Sequence, residues 1–455
     1  MLLDIVVLAA GQGKRMKSMR PKVLHPLAGR PLLAHVLDTA ATLSPGQRIV
    51  VYGHGGELLR RAFSHLNDII WVEQSEQLGT GHAVAQTLPS LDDEHHVLIL
   101  YGDVPLLSPM TLQRLLAVAG TDRLVVLTAE LADPSGYGRI IRNEHGDIIR
   151  IVEQRDAHPA EQAIREINTG IMLMPVALLR HWLGRIKADN AQGEYYLTDC
   201  VALAVQDGIV VDSVITHDST EILGVNDRRQ LAALEQHYQQ RQADALMDAG
   251  VTLLDPSRLT VRGQVQVGQD VILDVGVILE GQVELGDGVY IGPYSIIRDS
   301  VIAAAAMVEA HSVVEEARLG QGTHVGPFAR LRPGTVLDEG ARVGNFVETK
   351  NTRIGRDSKA NHLSYLGDAQ LGTGVNIGAG TITCNYDGAN KHPTVIEDGA
   401  FIGSNTSLVA PIRIGQEATV GAGSTLSQDV PAHGLTFNRA APKHISQWCR
   451  PRKSH

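Results

Sequence analysis

Residues 8–16 read Leu-Ala-Ala-Gly-Gln-Gly-Lys-Arg-Met, and Pro21-Lys22 follows shortly after. In the stretch Leu8-Ala9-Ala10-Gly11 and at Gly13, the small residues and glycines let backbone N–H groups approach a phosphate closely, while Arg15 and Lys22 supply positive charge. The third glycine of a dinucleotide site and the Lys-Ser/Thr ending of a Walker loop are both missing. Tyr101-Gly102-Asp103 closes a second apolar run, which predicts Asp103 at the carboxyl end of a strand, the ligand side of an open α/β sheet. A carboxylate there, beside a phosphate loop, suits Mg²⁺, which takes oxygen ligands and keeps several waters. In the second half of the chain, His362 lies near Lys350 and Tyr365 in sequence. An imidazole titrates near neutral pH, so His362 is the candidate for taking a proton from an amine.

These groups need elements to hold them. Up to about residue 226 the chain alternates strand-like segments (4–8, 48–52, 97–101, 124–128) with helix-like ones (32–42, 81–87), the α/β pattern. The apolar run from Ile5 to Ala10 has no basic segment before it and leads straight into the glycine loop, so it is a buried strand rather than a signal core. From Asp227 to Ala249 a polar helix carries one stripe of Leu231, Leu234, Tyr238, Ala245 and Leu246, and Gly250 stops it. Beyond it, aliphatic residues recur every six positions: Val265, Val271, Val277, Val283, Val289, then Ser295, Val301, Met307, Val313, Leu319 and onward to Val343. The ladder returns at Ile354, Ala360, Leu366, Leu371 and Ile377, and again from Ile396 to Leu426. A period of six fits short strands wound into a stacked prism and fits neither helix nor ordinary strand. The regular rungs are scaffold, so chemistry is expected where the ladder breaks, around His362 and in the loop before Ile396. The expected organisation is a catalytic α/β domain at 1–226, a helical linker at 227–249, a repeat domain at 250–430 and a tail at 431–455 that ends with Arg450, Arg452 and Lys453.

Composition narrows the function. A formal net charge of -10 argues against a nucleic-acid binder held by bulk electrostatics. Cys200, Cys384 and Cys449 are odd in number and far apart, which makes neither a disulfide framework nor a metal-spacing pattern. No apolar run reaches membrane-spanning length, so a cytoplasmic enzyme without a membrane span is expected.

The phosphate loop with Lys22 resembles the signature of sugar-phosphate nucleotidyltransferases. Gln74 with Leu78-Gly79-Thr80-Gly81-His82 resembles that family's base-reading loop, and Asn226 in Gly224-Val225-Asn226-Asp227 its second metal ligand after Asp103. Gly136-Tyr137-Gly138-Arg139, Glu153, Asn168 and Glu194-Tyr195-Tyr196 match its sugar-pocket segments. His362 and the looped-out Asn385-Tyr386 resemble hexapeptide-repeat acyltransferases that use acetyl-CoA. That resemblance puts Arg332, Lys350, Tyr365 and Asn376 on a sugar phosphate, and Ala379, Asn385, Tyr386, Ser404, Ala422 and Arg439 on acetyl-CoA.

Taken together, the chain resembles the bacterial bifunctional family of N-acetylglucosamine-1-phosphate uridyltransferase/glucosamine-1-phosphate acetyltransferases over nearly its whole length. The resemblance implies a Rossmann-like α/β nucleotidyltransferase domain followed by a left-handed parallel β-helix, assembled as a homotrimer. It implies Mg²⁺ on Asp103 and Asn226, with UTP and acetyl-CoA as co-substrates. Glucosamine 1-phosphate would be acetylated first. N-acetylglucosamine 1-phosphate would then be coupled to UTP to give UDP-N-acetylglucosamine, a precursor of peptidoglycan and lipopolysaccharide. A rival reading makes the repeat domain a mere oligomerisation platform, and His362 with the Asn385-Tyr386 loop speaks against it. Three departures stand out. Asn361 replaces a usual Gly, where Asn tolerates positive φ; Ser364 replaces Thr; and the coil at residues 301–306 lacks turn residues.

Overall fold

A computed structural model describes residues 1–53, 55–439 and 441–450. Of the tail, Arg452 and Lys453 lie outside the described residues. The chain divides into two compact units, Met1–Tyr238 and Gln239–His455.

The first unit is built on a nine-stranded mixed sheet. Its order is Val210–Thr216, Arg123–Glu130, Glu166–Pro175, His96–Tyr101, Leu3–Ala9, Gln47–Tyr52, Ile69–Glu73, with Gly138–Arg142 and Ile148–Val152 as a side hairpin on Glu166–Pro175. Leu3–Ala9 pairs in parallel with both Gln47–Tyr52 and His96–Tyr101, so it is central and buried along its whole length. Apart from Asp4, whose Oδ2 lies 3.0 Å from His95 Nδ1, the strand is apolar, as helices on both faces of a parallel sheet require. Because Leu8 pairs with Tyr101, the phosphate loop and Asp103 leave the sheet side by side, and Gly102 N donates to Leu8 O at 2.9 Å. The approach is close here, since a Cβ on Gly102 would crowd Leu33, Ala9 and Val23 at 3.2–3.3 Å.

The connecting helix spans Arg228–Asp248. Leu234 packs with Met16, Leu27, Leu32, Leu106 and Val225 of the first unit, while Ala243 and Leu246 belong to the core of the second. Ala243 takes the inward place expected of Ala245, which is exposed. An inward stripe holds positions three and four apart, and Ala243 stands three before Leu246.

The second unit is a left-handed parallel β-helix of hexapeptide repeats. A turn takes 18 residues where Val265 pairs with Val283 and 17 where Ile296 pairs with Val313. Each repeat buries two positions, such as Val271 with Leu273 and Val277 with Leu279. The six-residue ladder first slips where one turn shortens from 18 residues to 17, and later turns such as the one pairing Arg342 with Lys359 are shortened too. Gly281 and Gln282 together face the single Asp299, so the pairing shifts from Glu280 with Arg298 to Val283 with Ser300. Asp299 adopts a positive φ of 45° and its Oδ1 accepts from Gln282 N at 2.9 Å, which closes the shortened corner. The dropped residue turns Val301, Met307 and Val313 away from the core and puts Ser300, Ile302, Val308 and Val314 inside. From Leu319 the apolar ladder continues on the second inward position of each repeat. The last rung is Leu435–Thr436, paired with Thr419–Val420.

This frame gives a stability prediction. Ile302→Ala removes a side chain that is 1% exposed and should cost about 2–5 kcal/mol. Met307→Ala, at a ladder position 38% exposed, should stay within about 0.5 kcal/mol. Denaturant midpoints of the β-helix transition in the two variants check the frame, and equal midpoints would contradict it.

Candidate active sites

In the first unit a cavity of about 380 Å³ opens at the carboxyl ends of the central strands. Leu8, Ala9, Ala10, Gly11, Lys22, Gln74, Gly79, Thr80, Tyr101, Asp103 and Asn226 line it. Arg15 lies outside that wall, in an adjoining opening of about 470 Å³ that also touches Gly11, Lys22 and Asn226. Arg15 is exposed, as a group reaching toward the end of a polyphosphate would be. Val23, Gln77 and Ala83 also line the cavity and escaped the sequence reading. Gln77 Nε2 donates to Ala10 O at 2.6 Å, and a Cβ on Gly53 would lie 2.8 Å from that same nitrogen. Glu194 belongs to a matched segment, but no spacing marked it as a wall residue.

The loop around Gly79 is held from both ends. Gln74 is buried, and its Nε2 lies 3.1 Å from Gly79 O and from His82 Nδ1. Gly79 has φ 112°, and a Cβ there would fall 2.6 Å from Tyr195 O, so this bend requires glycine. Lys22 Nζ forms an ion pair with Asp103 Oδ2 and lies 3.4 Å from Asn226 Oδ1. Two oxygen donors therefore reach one cationic nitrogen, a donor set that suits a hard divalent cation such as Mg²⁺. Val225 N donates to Asp103 O at 3.1 Å and Gln230 Oε1 accepts from Asn226 N at 2.7 Å, which fixes the Asn226 segment against the Asp103 one.

Gly138, Glu153 and Asn168 gather in a neighbouring group. Gly138 pairs with Asn168 across the strands, and a Cβ on Gly138 would meet Glu153 Oε2 at 3.4 Å. Glu153 Oε1 accepts from Thr198 Oγ1 at 3.0 Å. Burial, reinforced by the charges of Asp156, Asp199 and Glu194, raises its carboxyl above the usual range. Glu153 therefore loses its negative charge at a higher pH than an exposed glutamate does. As pH falls through that raised value, KM for the sugar phosphate in uridylyl transfer should rise while an exposed glutamate would still be ionised. Glu153→Gln should flatten the profile, and an unchanged pH slope in that variant would remove Glu153 from sugar binding.

In the second unit, His362 is exposed at the end of the strand Lys359–His362, and its Nδ1 lies 2.8 Å from Asn345 Oδ1, its partner one coil earlier. Asn345 went unmarked in sequence, where it showed only as part of a break in the ladder. The same corner recurs in the coils that follow. Gly380 N donates to His362 O at 3.3 Å, Asn405 N to Ala379 O at 2.7 Å and Gly423 N to Ser404 O at 2.8 Å. His362, Ala379, Ser404 and Ala422 thus stand in one column along the prism, with Arg439 at its end stacked over Phe437 at 5.2 Å. Glycines let the coils stack closely along this column, since Cβ atoms on Gly378 and Gly403 would strike Ser404 N and Ala422 N at 2.5 and 2.4 Å. The positive φ expected at Asn361 falls instead on Leu363, at 49°, because the corner turns after His362.

On the adjoining face, Arg332, Lys350 and Tyr365 lie on consecutive rungs. Arg332 Nη1 pairs with Glu348 Oε1 at 2.9 Å. Lys391, in the loop before Ile396, comes against Lys350; this contact and charge, with Arg332 adding to it, lower the Lys350 ammonium below its usual range. Lys350 and Lys391 side by side, with Arg332 close by, form a cationic cluster that suits a phosphate dianion. Asn385 is buried, its Nδ2 donating to Asp368 Oδ2 at 2.5 Å, whereas Tyr386 is exposed and donates to Gly388 O at 2.6 Å. Asn376 stands apart from Arg332, Lys350 and Tyr365, on the face that carries Lys359 and Phe401.

Residues 5–250 match the family model of the MobA-like NTP transferase domain, and residues 393–428 that of the hexapeptide repeat of succinyl-transferase. The bifunctional protein GlmU of Azoarcus sp. is 55% identical over 99% of this chain and 100% of its own. The chain belongs to the GlmU family. GlmU proteins of Cupriavidus taiwanensis and Pseudomonas putida are each 56% identical, over 99% and 100% of this chain respectively and 99% of their own. Like them it is a bifunctional enzyme, a nucleotidyltransferase domain followed by a hexapeptide acetyltransferase domain. Among the described residues, no helix is long and apolar enough to cross a membrane.

Proposed function

We propose that the β-helix acetylates glucosamine 1-phosphate from acetyl-CoA and that the α/β domain then transfers uridylyl from UTP to the product, releasing pyrophosphate. The observation that carries this reading is the presence, in one chain, of the Lys22–Asp103–Asn226 cluster facing a phosphate loop and of the His362 column beside three basic side chains.

In uridylyl transfer, Gln74 and the Gly79 bend read the base, and Arg15 and Lys22 offset charge on the triphosphate. Gly138, Glu153 and Asn168 hold the sugar. Asp103 and Asn226 would hold Mg²⁺, which would supply further neutralisation of phosphate charge. The sugar phosphate attacks the α-phosphorus in line, and catalysis consists of positioning and charge stabilisation.

In acetyl transfer, Arg332, Lys350 and Lys391 bind the sugar phosphate, with Tyr365 beside them. Asn345 Oδ1 accepts from Nδ1–H of His362, which leaves Nε2 as the free base for the substrate amine. As His362 takes the amine proton, the amine nitrogen attacks the thioester carbonyl of acetyl-CoA lying along Ala379, Ser404 and Ala422, with Asn385, Tyr386 and Arg439 around the coenzyme. The C–S bond breaks, and coenzyme A leaves as the thiolate that receives that proton. His362 and Asn376 stand on one face and Arg332, Lys350 and Tyr365 on the next, an arrangement that suits a homotrimer in which adjacent copies complete each site.

Incubation of the full chain with glucosamine 1-phosphate, acetyl-CoA, UTP and Mg²⁺ tests the proposal. Acetylated sugar phosphate should appear first and UDP-N-acetylglucosamine after it. Uridylyl transfer to supplied N-acetylglucosamine 1-phosphate, with no acetylation of glucosamine 1-phosphate, would reduce the β-helix to a platform.

A further inference from the structure

Lys22 does more in this geometry than a phosphate-binding lysine requires. Its ammonium is ion-paired to Asp103 Oδ2 and within 3.4 Å of Asn226 Oδ1, the same two oxygens that would hold a divalent cation. The pair is sheltered, with side-chain exposures of 13% for Lys22 and 15% for Asp103. Its backbone is fixed as well. Residues 22–24 form a single 3₁₀ turn closed by His25 N onto Lys22 O at 3.1 Å. His25 is buried, and its Nδ1 lies 3.3 Å from Arg228 Nη1, two residues beyond Asn226. The Lys22 turn is therefore tied to the Asn226 segment independently of the lysine side chain.

Two cations cannot occupy one point between the same pair of oxygens, because in a partly desolvated site their mutual repulsion exceeds what either gains. The lysine stem carries several rotatable bonds, so the ammonium can leave while the turn stays in place. The phosphate loop that lines the neighbouring opening offers it a second anionic partner once a triphosphate is bound. We propose that the Lys22 ammonium is an internal stand-in for the divalent cation. It neutralises Asp103 and holds it beside Asn226 in the nucleotide-free chain, and it yields that position to the metal as the triphosphate draws it away. Metal and nucleotide therefore bind with positive coupling, and Lys22 is the residue that couples them. The inference rests on the assignment of Asp103 and Asn226 as metal ligands.

Mn²⁺ binding to the full chain, followed by the electron paramagnetic resonance of free Mn²⁺, reads the exchange without turnover. In the absence of nucleotide, Lys22→Gln should bind Mn²⁺ about tenfold more tightly than the wild type, because the competing ammonium is gone. A non-hydrolysable UTP analogue should tighten Mn²⁺ binding to the wild type and narrow the gap between the two proteins. Equal or weaker Mn²⁺ binding by Lys22→Gln without nucleotide would overturn the exchange. Asp103→Asn separates this failure from failure of the ligand assignment: Mn²⁺ binding unaffected in Asp103→Asn would remove the assignment itself. A second readout needs no variant. Amine acetylation of wild-type Lys22, located by mass spectrometry, should rise several-fold when saturating Mn²⁺ is added alone, and unchanged labelling would count against the exchange.

Discussion

Asp103→Ala should lower uridylyl transfer by about 10³-fold at ordinary Mg²⁺ and leave acetyl transfer unchanged. The size follows from what the side chain does. Its carboxylate is the only full negative charge among the two oxygens that converge on Lys22 Nζ, so its removal takes away both the anchor of that ammonium and the stronger of the two donors for a divalent cation. Positioning and charge stabilisation are most of what a phosphoryl-transfer site contributes, so this loss is not made up elsewhere. Asp103→Asn is the companion variant, since it keeps the shape and an oxygen while removing the charge. Steady-state rates of both half-reactions on the same preparations check the prediction. Near wild-type uridylyl transfer in both variants would defeat the assignment.

His362→Ala should cost about 10²–10⁴-fold in acetyl transfer, the range for loss of a positioned general base, with uridylyl transfer intact. The fold should not suffer, because the imidazole is exposed and, among the described residues, its one side-chain hydrogen bond is to Asn345. Asn345→Ala tests the mechanism from the other side. It leaves the base in place but removes the group that holds the Nδ1–H tautomer, so its loss should be smaller and should fall on kcat rather than on KM for either substrate. A His362→Ala enzyme that still acetylates at the wild-type rate would show that the base lies elsewhere on the solenoid.

Much of this was legible in the residues. The apolar run from Ile5 to Ala10 and the loop after it were visible because a strand buried on both faces is mostly apolar and a phosphate loop is rich in glycine and other small residues. The solenoid was visible because inward positions repeat. What escaped notice depended on geometry between coils. The shift at Asp299 removes one residue from a turn, and the valines at 301 and 313 mimic an unbroken ladder although Ser300 and Ser312 are the buried ones. Serine at an inward position looks polar in sequence, yet Ser300 Oγ donates to Arg298 O at 2.6 Å and so is satisfied inside. Asn345 could have been found by counting back one 17-residue coil from His362, a step that requires the length of the turn. Lys391 sits in a loop with no period at all, and only the fold brings it to Lys350. Gln77 likewise owes its place to Ala10, 67 residues away in sequence.

The central claim is that one chain carries two separate active sites joined only by a diffusible product. Purified Asp103→Ala and His362→Ala proteins, each supplied with glucosamine 1-phosphate, acetyl-CoA, UTP and Mg²⁺, test it most directly. Each alone should form UDP-N-acetylglucosamine at no more than a trace rate, the first accumulating acetylated sugar phosphate and the second accumulating nothing. Mixed, they should restore its synthesis. A mixture no more active than its components, or either variant completing the sequence alone at the wild-type rate, would contradict the account.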